Sequence, residues 1–216
     1  MMLTGLRLLT KDLKVLNGKY IQLEPVANQH REELRKAANH EQIWQYMPQK
    51  ATGKLFNRWF DDCLEKMSTR DQITYAVRCK KERDLKGATA FYDIQPENKR
   101  LTLGYSWYIP EVWGTTTNPE SKLLMLHQAF EIWGINRVEM GTDSRNIHSY
   151  RAIKKLGATE EGVLRQHMIL HNQVITDTIV FSILFSEWPM VKERLMQRLN
   201  YAVTDIYPRN FKMLSF

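Results

Sequence analysis

Only two cysteines, Cys63 and Cys79, occur in the 216 residues. That is too few for a disulfide scaffold and fits a reducing compartment. Neither has a neighbourhood that suggests catalysis, and free buried thiols are ordinary core residues. No apolar run approaches the roughly 18 residues of a membrane span. Arg7, Lys11, Asp12 and Lys14 interrupt the N-terminus ahead of any signal-peptide core, so the expectation is a cytoplasmic protein with no membrane partner. Internal repeats and low-complexity segments are missing too. So is a long run of one charge: 31 Lys and Arg are interspersed with 24 Asp and Glu, net +7. Such a balance reads as a solvated surface plus a site for a phosphate-bearing ligand, and makes nucleic acid an unlikely partner. A metal is not expected either. His167 and His171 on one strand would lie roughly 13 Å apart, too far to share an ion.

What is present is enough apolar sequence, 43% of residues, for one substantial core. Tyr20 to Glu24 alternates as a first strand. Ala27 to Asn39 and Lys54 to Met67 read as helices, the latter with Phe56, Trp59, Phe60 and Leu64 on a broad apolar face. Gln72 to Arg78, Ala88 to Ile94 and Leu101 to Ile109 form an antiparallel meander. Leu164 to His171 and Val174 to Leu184 form a hairpin about a two-residue turn, Asn172-Gln173, in which Asn tolerates left-handed φ. The fold class is α/β: a mixed, mainly antiparallel central sheet with helices on both faces.

The informative segment lies between residues 107 and 162. After the strand ending Trp107-Tyr108-Ile109 comes Trp113-Gly114-Thr115-Thr116-Thr117, a loop of small residues, and then a helix. Asn118 suits its N-cap, Pro119 its first position and Gly134 its left-handed stop. Leu123, Leu126, Phe130 and Trp133 recur along it at helical spacing. A helix start offers unpaired N–H groups and the positive end of the macrodipole, so this junction suits a phosphate. The strand Arg137 to Asp143 leads to a second helix start at Asn146, whose side chain is positioned to cap the N–H of Ser149.

These motifs resemble the GNAT superfamily of acetyl-coenzyme A-dependent N-acetyltransferases, and within it the ribosomal-protein N-terminal acetyltransferase-like branch. The resemblance runs from about Gly18 to Pro189. It is densest in Trp113-Gly-Thr…Asn118-Pro-Glu-Ser-Lys, Arg137-Val-Glu139, Asn146-x-x-Ser149 and Leu156-Gly-Ala-x-x-Glu-Gly. It implies that Trp113, Gly114, Thr115, Thr116, Thr117 and Asn118 hold the coenzyme A diphosphate. It also implies that the strand around Trp107, Tyr108 and Ile109 lies along the pantetheine arm and points an N–H at the thioester carbonyl. Asn146 matches an arm-binding asparagine, and Ser149 a serine that assists the departing thiolate. The partners implied are acetyl-CoA and a primary amine, either a protein N-terminus or a small molecule.

The sequence departs from the pattern at Thr116, where relatives carry glycine. A positive φ there would strain a β-branched residue, whereas an ordinary φ would let Thr hydroxyls add donors. The rival to a working enzyme is therefore a catalytically impaired CoA-binding or ribosome-associated protein. Transfer also needs a neutral amine, and Glu139, Glu160 and Glu161 are the carboxylates near the expected cleft, with the base left unassigned among them. Asp177, on an apolar row, suggests a buried ion pair with Arg165. Trp44, Tyr46, Trp59 and Phe60 read first as core and second as an acceptor wall. Residues 1–190 are expected to form the domain and 191–216 a basic, aromatic extension. That extension could pack on the domain, close a homodimer or cover the cleft.

Overall fold

The computed structural model describes residues 13–202 and 205. The readings made on Arg7, Lys11 and Asp12, and on the part of the extension at 203, 204 and 206–216, lie outside the described residues. Eight strands occur in chain order: β1 (Leu16–Asn17), β2 (Ile21–Pro25), β3 (Gln72–Cys79), β4 (Leu85–Gln95), β5 (Arg100–Tyr108), β6 (Arg137–Asp143), β7 (Thr159–Ile169) and β8 (Ile175–Leu184). They form one sheet in the order β1-β2-β3-β4-β5-β6-β8-β7. Five α-helices accompany them: α1 (Arg31–Ala37), α2 (Phe56–Thr69), α3 (Thr117–His127), α4 (Ile147–Leu156) and α5 (Trp188–Leu199). Residues of α1 and α2 share one core, with Leu34, Phe56 and Phe60 against Ala76, Ala88 and Trp107. Residues of α3, α4 and α5 share the other, with Leu123, Ile153 and Val191 against Ile73, Phe91 and Phe181. The expected mixed sheet with helices on both faces is what the chain adopts.

Every strand pairing is antiparallel except β5 with β6. That parallel seam consists of Arg100↔Arg137, Leu101↔Val138 and Thr102↔Glu139. Beyond it β5 runs on to Tyr108 beside β4, and β6 runs on to Asp143 beside β8, so the two strands part and leave a wedge. A bulge in β5 sits at the mouth of this separation. Ala90 faces Gly104 and Ala88 faces Trp107, so Thr89 opposes both Tyr105 and Ser106, and Tyr105 takes φ 46°. The extra residue reverses which side chains face which layer. Leu101 and Leu103 enter the α3 core, whereas Trp107 enters the α1–α2 core. Gly87, at φ 154°, lets β4 approach this stretch: a Cβ there would lie 2.0 Å from the Trp107 carbonyl oxygen.

The central helix begins two residues earlier than the sequence suggested. Thr116 is the N-cap, without a side-chain cap bond, and Pro119 is the third helical residue. Proline fits there because first-turn N–H groups lack intrahelical partners in any case. The helix continues as one π-type stretch, Gln128–Ile132, to Gly134 at φ 67°. Its expected apolar stripe understates its burial, for Glu120, Ser121 and Lys122 are buried as well. The Glu120 carboxylate accepts hydrogen bonds from the backbone N–H groups of Tyr20 (3.0 Å) and Ile21 (3.1 Å), and from Lys19 N–H and the Tyr201 hydroxyl. Gly18 is required beside it, because a Cβ there would collide with the carboxylate.

Three further expectations need correction. Five residues, 170–174, join β7 to β8; Leu170 N–H donates to Val174 O, and of the three residues inside that pair Gln173, rather than Asn172, is at positive φ (65°), its N–H donating to Leu170 O, a β-turn closed by a left-handed residue. Asp177 does not pair with Arg165 in a buried salt bridge; its carboxylate accepts the Gln166 N–H at 2.7 Å, in the irregular stretch of β7. The boundary after residue 190 falls inside α5, whose Val191, Leu195 and Leu199, with Tyr201 after it, belong to the main core.

Candidate active site

Two chain turns follow the strand ends at the open end of the wedge, the loop before α3 and the loop before α4. In the first, Gly114 takes φ 76° with no atom within 4 Å of a would-be Cβ, and Thr116 takes φ −72°. The strained reading of Thr116 therefore does not apply: the single left-handed position is already glycine. Trp113 N–H donates to Pro110 O, Thr115 N–H to Val112 O, and Thr117 N–H to Thr115 Oγ1 at 3.3 Å. Among the residues Trp113 to Asn118, this leaves the N–H groups of Gly114, Thr116 and Asn118 for an anion, on an exposed surface. Thr115 turns its hydroxyl inward to Val112 O, 2.7 Å. It is a brace for the loop rather than an extra donor.

Along β5, backbone direction discriminates between the three expected residues. A strand residue's N–H and C=O point to the same side, and successive residues alternate. Ile109 N–H donates to Lys86 O, so Ile109 and Trp107 face β4, whereas Tyr108 faces the wedge. The Tyr108 carbonyl is held by the Trp113 indole N–H at 2.8 Å, which leaves its N–H aimed into the gap. Burial pushes the Tyr108 phenol up to about 12. The Trp107 ring belongs to the other layer, tilted against Trp44 with centroids 5.3 Å apart and edge-on to Trp59 at 5.6 Å, and its buried indole N–H has no partner among the described residues.

The second turn enters α4 through Asp143. Its side chain is 2% exposed and accepts from Arg145 N–H (2.9 Å) and from the guanidinium at 2.9 and 2.6 Å. Asn146 then caps the helix, its Oδ1 accepting Ser149 N–H at 3.0 Å, and the Ser149 hydroxyl takes part in no hydrogen bond with the described residues. Asn146→Ala is expected to lower stability by about 1 kcal/mol, the usual worth of such a cap. Urea unfolding checks this, and an unchanged midpoint would show that Asp143 alone fixes the turn. Tyr150 is turned away, its hydroxyl on Glu160 at 2.8 Å and its ring on Phe181. Ile153 is buried in the core.

The three carboxylates are not brought to this end. Glu139 closes the seam opposite Thr102 and pairs with Arg137 at 2.9 Å and Arg100 at 3.7 Å. Glu161 binds Arg137 and Ser182, and the guanidinium holds its carboxyl down at about 2. Glu160 faces Phe181 in register. All three lie level with residues 139–140, roughly 10 Å down the strands from Asp143 at ~3.3 Å per residue. Sequence proximity to α4 suggested them; strand register sets them away from the turn that starts it.

Opposite the α4 turn, Arg145 lies over the Tyr46 ring at 5.8 Å, and His171 Nε2 donates to Trp44 O at 3.0 Å. The hairpin tip is thereby tied to the segment ahead of α2. Trp44 and Phe60 are core residues, Trp59 is partly buried, and Tyr46 borders the opening. Among the described residues Cys79, Glu82 and Asp84 come close enough for a metal, but the Lys86 ammonium sits on both carboxylates. Sequence reading missed Lys122, Ser106 and Thr89, a buried polar cluster beneath α3. Its one signal was a lysine within an otherwise apolar helical run.

A family model described as an acetyltransferase (GNAT) domain matches residues 21–159. An uncharacterized N-acetyltransferase of Bacillus subtilis, YoaA, is 30% identical over 111 residues, which span 51% of this chain and 62% of that relative. The crystal structure of a GCN5-related N-acetyltransferase from Brucella melitensis superposes with TM-score 0.79 at 28% identity, over 94% of this chain and 90% of the other. Mycobacterium smegmatis RimJ in complex with CoA-disulfide shares the fold, with TM-score 0.72 at 16% identity over 86% and 92% of the two chains.

Proposed function

Since the chain belongs to the GNAT acetyltransferase family, we propose that it is an acetyl-coenzyme A-dependent N-acetyltransferase passing acetyl directly to a primary amine. The observation that carries this reading is the wedge. A parallel seam of three residue pairs opens beneath a loop whose free N–H groups face outward, which suits a long, flexible arm ending in a diphosphate. The RimJ structure, with a coenzyme A derivative bound, supports that reading at the level of fold.

Gly114, Thr116 and Asn118 N–H groups bind the diphosphate, reinforced by the α3 dipole. Tyr108 N–H donates to the thioester carbonyl and, as the amine nitrogen attacks the carbonyl carbon, to the oxyanion that forms. The C–S bond then breaks. Ser149 donates its hydroxyl to the leaving sulfur at the start of α4, where the dipole also favours a thiolate. The proton of the attacking amine passes to water at the open end of the wedge, because the Glu139, Glu160 and Glu161 carboxylates are engaged elsewhere. The acceptor is a protein N-terminus or a small amine. The impaired-binder reading loses its motive with the ordinary φ of Thr116.

Titration with acetyl-coenzyme A is expected to raise wild-type stability as RT ln(1 + [L]/Kd), about 2.7 kcal/mol at a hundredfold excess over Kd. Ser149→Ala is expected to keep that rise and to release thiol from acetyl-coenzyme A about 10- to 100-fold more slowly with an N-terminal peptide or polyamine acceptor. A wild type without a saturable rise would overturn the acyl-donor reading. A Ser149→Ala variant with full rate would remove Ser149 from the mechanism.

A further inference from the structure

Lys122 is 7% exposed in the second turn of α3, on the side that meets the sheet. Its Nζ donates to Ser106 Oγ at 2.6 Å and to Thr89 Oγ1 at 3.4 Å, and those two hydroxyls bond each other at 2.8 Å. From β4 it meets Thr89, and from β5 Ser106 with Tyr108 close by; the Tyr108 phenol also neighbours Ser121 on the helix itself. Glu120 projects about 200° around the helix from Lys122, into the β1–β2 turn. Among the described residues no charged group offsets the burial, which pulls the amine down to about 7.

A buried ammonium without a carboxylate lowers stability, and an apolar replacement of similar length commonly raises it. Its neighbours point to a compensating role. Ser106 is the second residue of the β5 bulge, and by the same alternation as Tyr108 its backbone faces the wedge. Lys122 thus grips, from the helix side, the strand segment along which the arm of an acyl donor lies. Helical side chains also lean toward the helix N-terminus. The side chain therefore leans from the second turn toward the end of α3 that offers its N–H groups to a diphosphate.

We propose that Lys122 is a positioning residue for acyl transfer: through Ser106 it fixes the wedge-lining edge of β5, and its ammonium is an internal counter-charge to the diphosphate held at the start of α3. The inference rests on the acyl-coenzyme A reading above. It makes donor binding a proton-linked event, because an anion brought near a partly deprotonated amine draws the proton back.

The test is calorimetric titration of coenzyme A at pH 7.5 in phosphate and in Tris, whose ionisation enthalpies differ, with melting of the free proteins alongside. The wild type is expected to take up roughly half a proton on binding, for an anion at the start of α3, six residues or about 9 Å along the axis at about 1.5 Å per residue, and an effective dielectric near 20. Lys122→Met and Lys122→Gln are expected to take up none and to bind about 10-fold more weakly, while free Lys122→Met melts at or above the wild-type temperature. The sign of the pH dependence is also fixed. With its folded value below its unfolded one, Lys122 makes the unfolded state bind more protons between about pH 7 and 10.5, so wild-type stability gains on Lys122→Met as pH rises through that window. A wild type that binds without proton uptake, or variants that bind as tightly as wild type, would overturn the proposal alone. A wild type that does not bind coenzyme A would overturn the acyl-donor reading and this with it. Failure of both variants to fold would make the lysine a structural element and overturn the proposal as well.

Discussion

Glu120→Ala is expected to remove about 3–5 kcal/mol of stability, the largest loss from any single side chain described here. The carboxylate is fully buried and is the shared acceptor for the Lys19, Tyr20 and Ile21 N–H groups and the Tyr201 hydroxyl. Truncation strands those donors where water has little access, and each unsatisfied buried group costs about 1–3 kcal/mol before relaxation. Because α3, the β1–β2 turn and the segment after α5 meet on this one group, the damage is distributed over three elements. Glu120→Gln keeps an acceptor but turns an NH2 group toward donors, and an intermediate loss of about 2–3 kcal/mol is expected. Urea unfolding monitored by tryptophan fluorescence is the measurement, with m unchanged if only the native state is affected. A midpoint shift worth less than about 1 kcal/mol for Glu120→Ala would mean that the donors find other partners without cost.

The second large effect is expected at Gly87, and it combines stability with rate. At φ 154° no side chain is comfortable, and a Cβ would press on the Trp107 carbonyl and the Tyr108 Cα. Both atoms belong to backbone, so β5 itself must move. Strain and overpacking of this kind each cost about 1–3 kcal/mol. The displaced stretch carries the Tyr108 N–H, and a shift of about 1 Å at a reacting centre lowers rates on the order of 100-fold. Gly87→Ala should therefore melt lower and, assayed well below its melting temperature, transfer acetyl on the order of 100-fold more slowly. A variant with the stability loss but full rate would show that β4 yields instead of β5, and would argue against Tyr108 as the thioester donor.

Much of this architecture was legible in the sequence, and the limits have physical reasons. Alternation and helical spacing located the strands and helices because those periods are set by which face is buried. The Asn146 cap was readable because it is local, three residues from donor to acceptor. The burial of Glu120 and Lys122 was not, since it depends on segments distant in sequence: residues 81 to 101 positions away around Glu120, and strands 33 and 16 positions away around Lys122. The bulge at Tyr105 carried no signal, a tyrosine being an uncommon occupant of positive φ. Glu161 was proposed from its place just after α4. In the folded sheet it stands beside Ser182 and Arg137, a consequence of register alone.

The seam between β5 and β6 also bears on how the molecule assembles. Residues 72–108 can close their meander, and β7 and β8 their hairpin, through contacts near in sequence, whereas β6 reaches β8 only across 35 to 47 residues. The three seam pairs join residues 37 positions apart, across the whole of α3, and reward the chain only after that loop has closed. The sheet is therefore a local meander and a local hairpin joined late through β6, and amides of β6 should gain hydrogen-exchange protection after those of the meander and the hairpin during refolding.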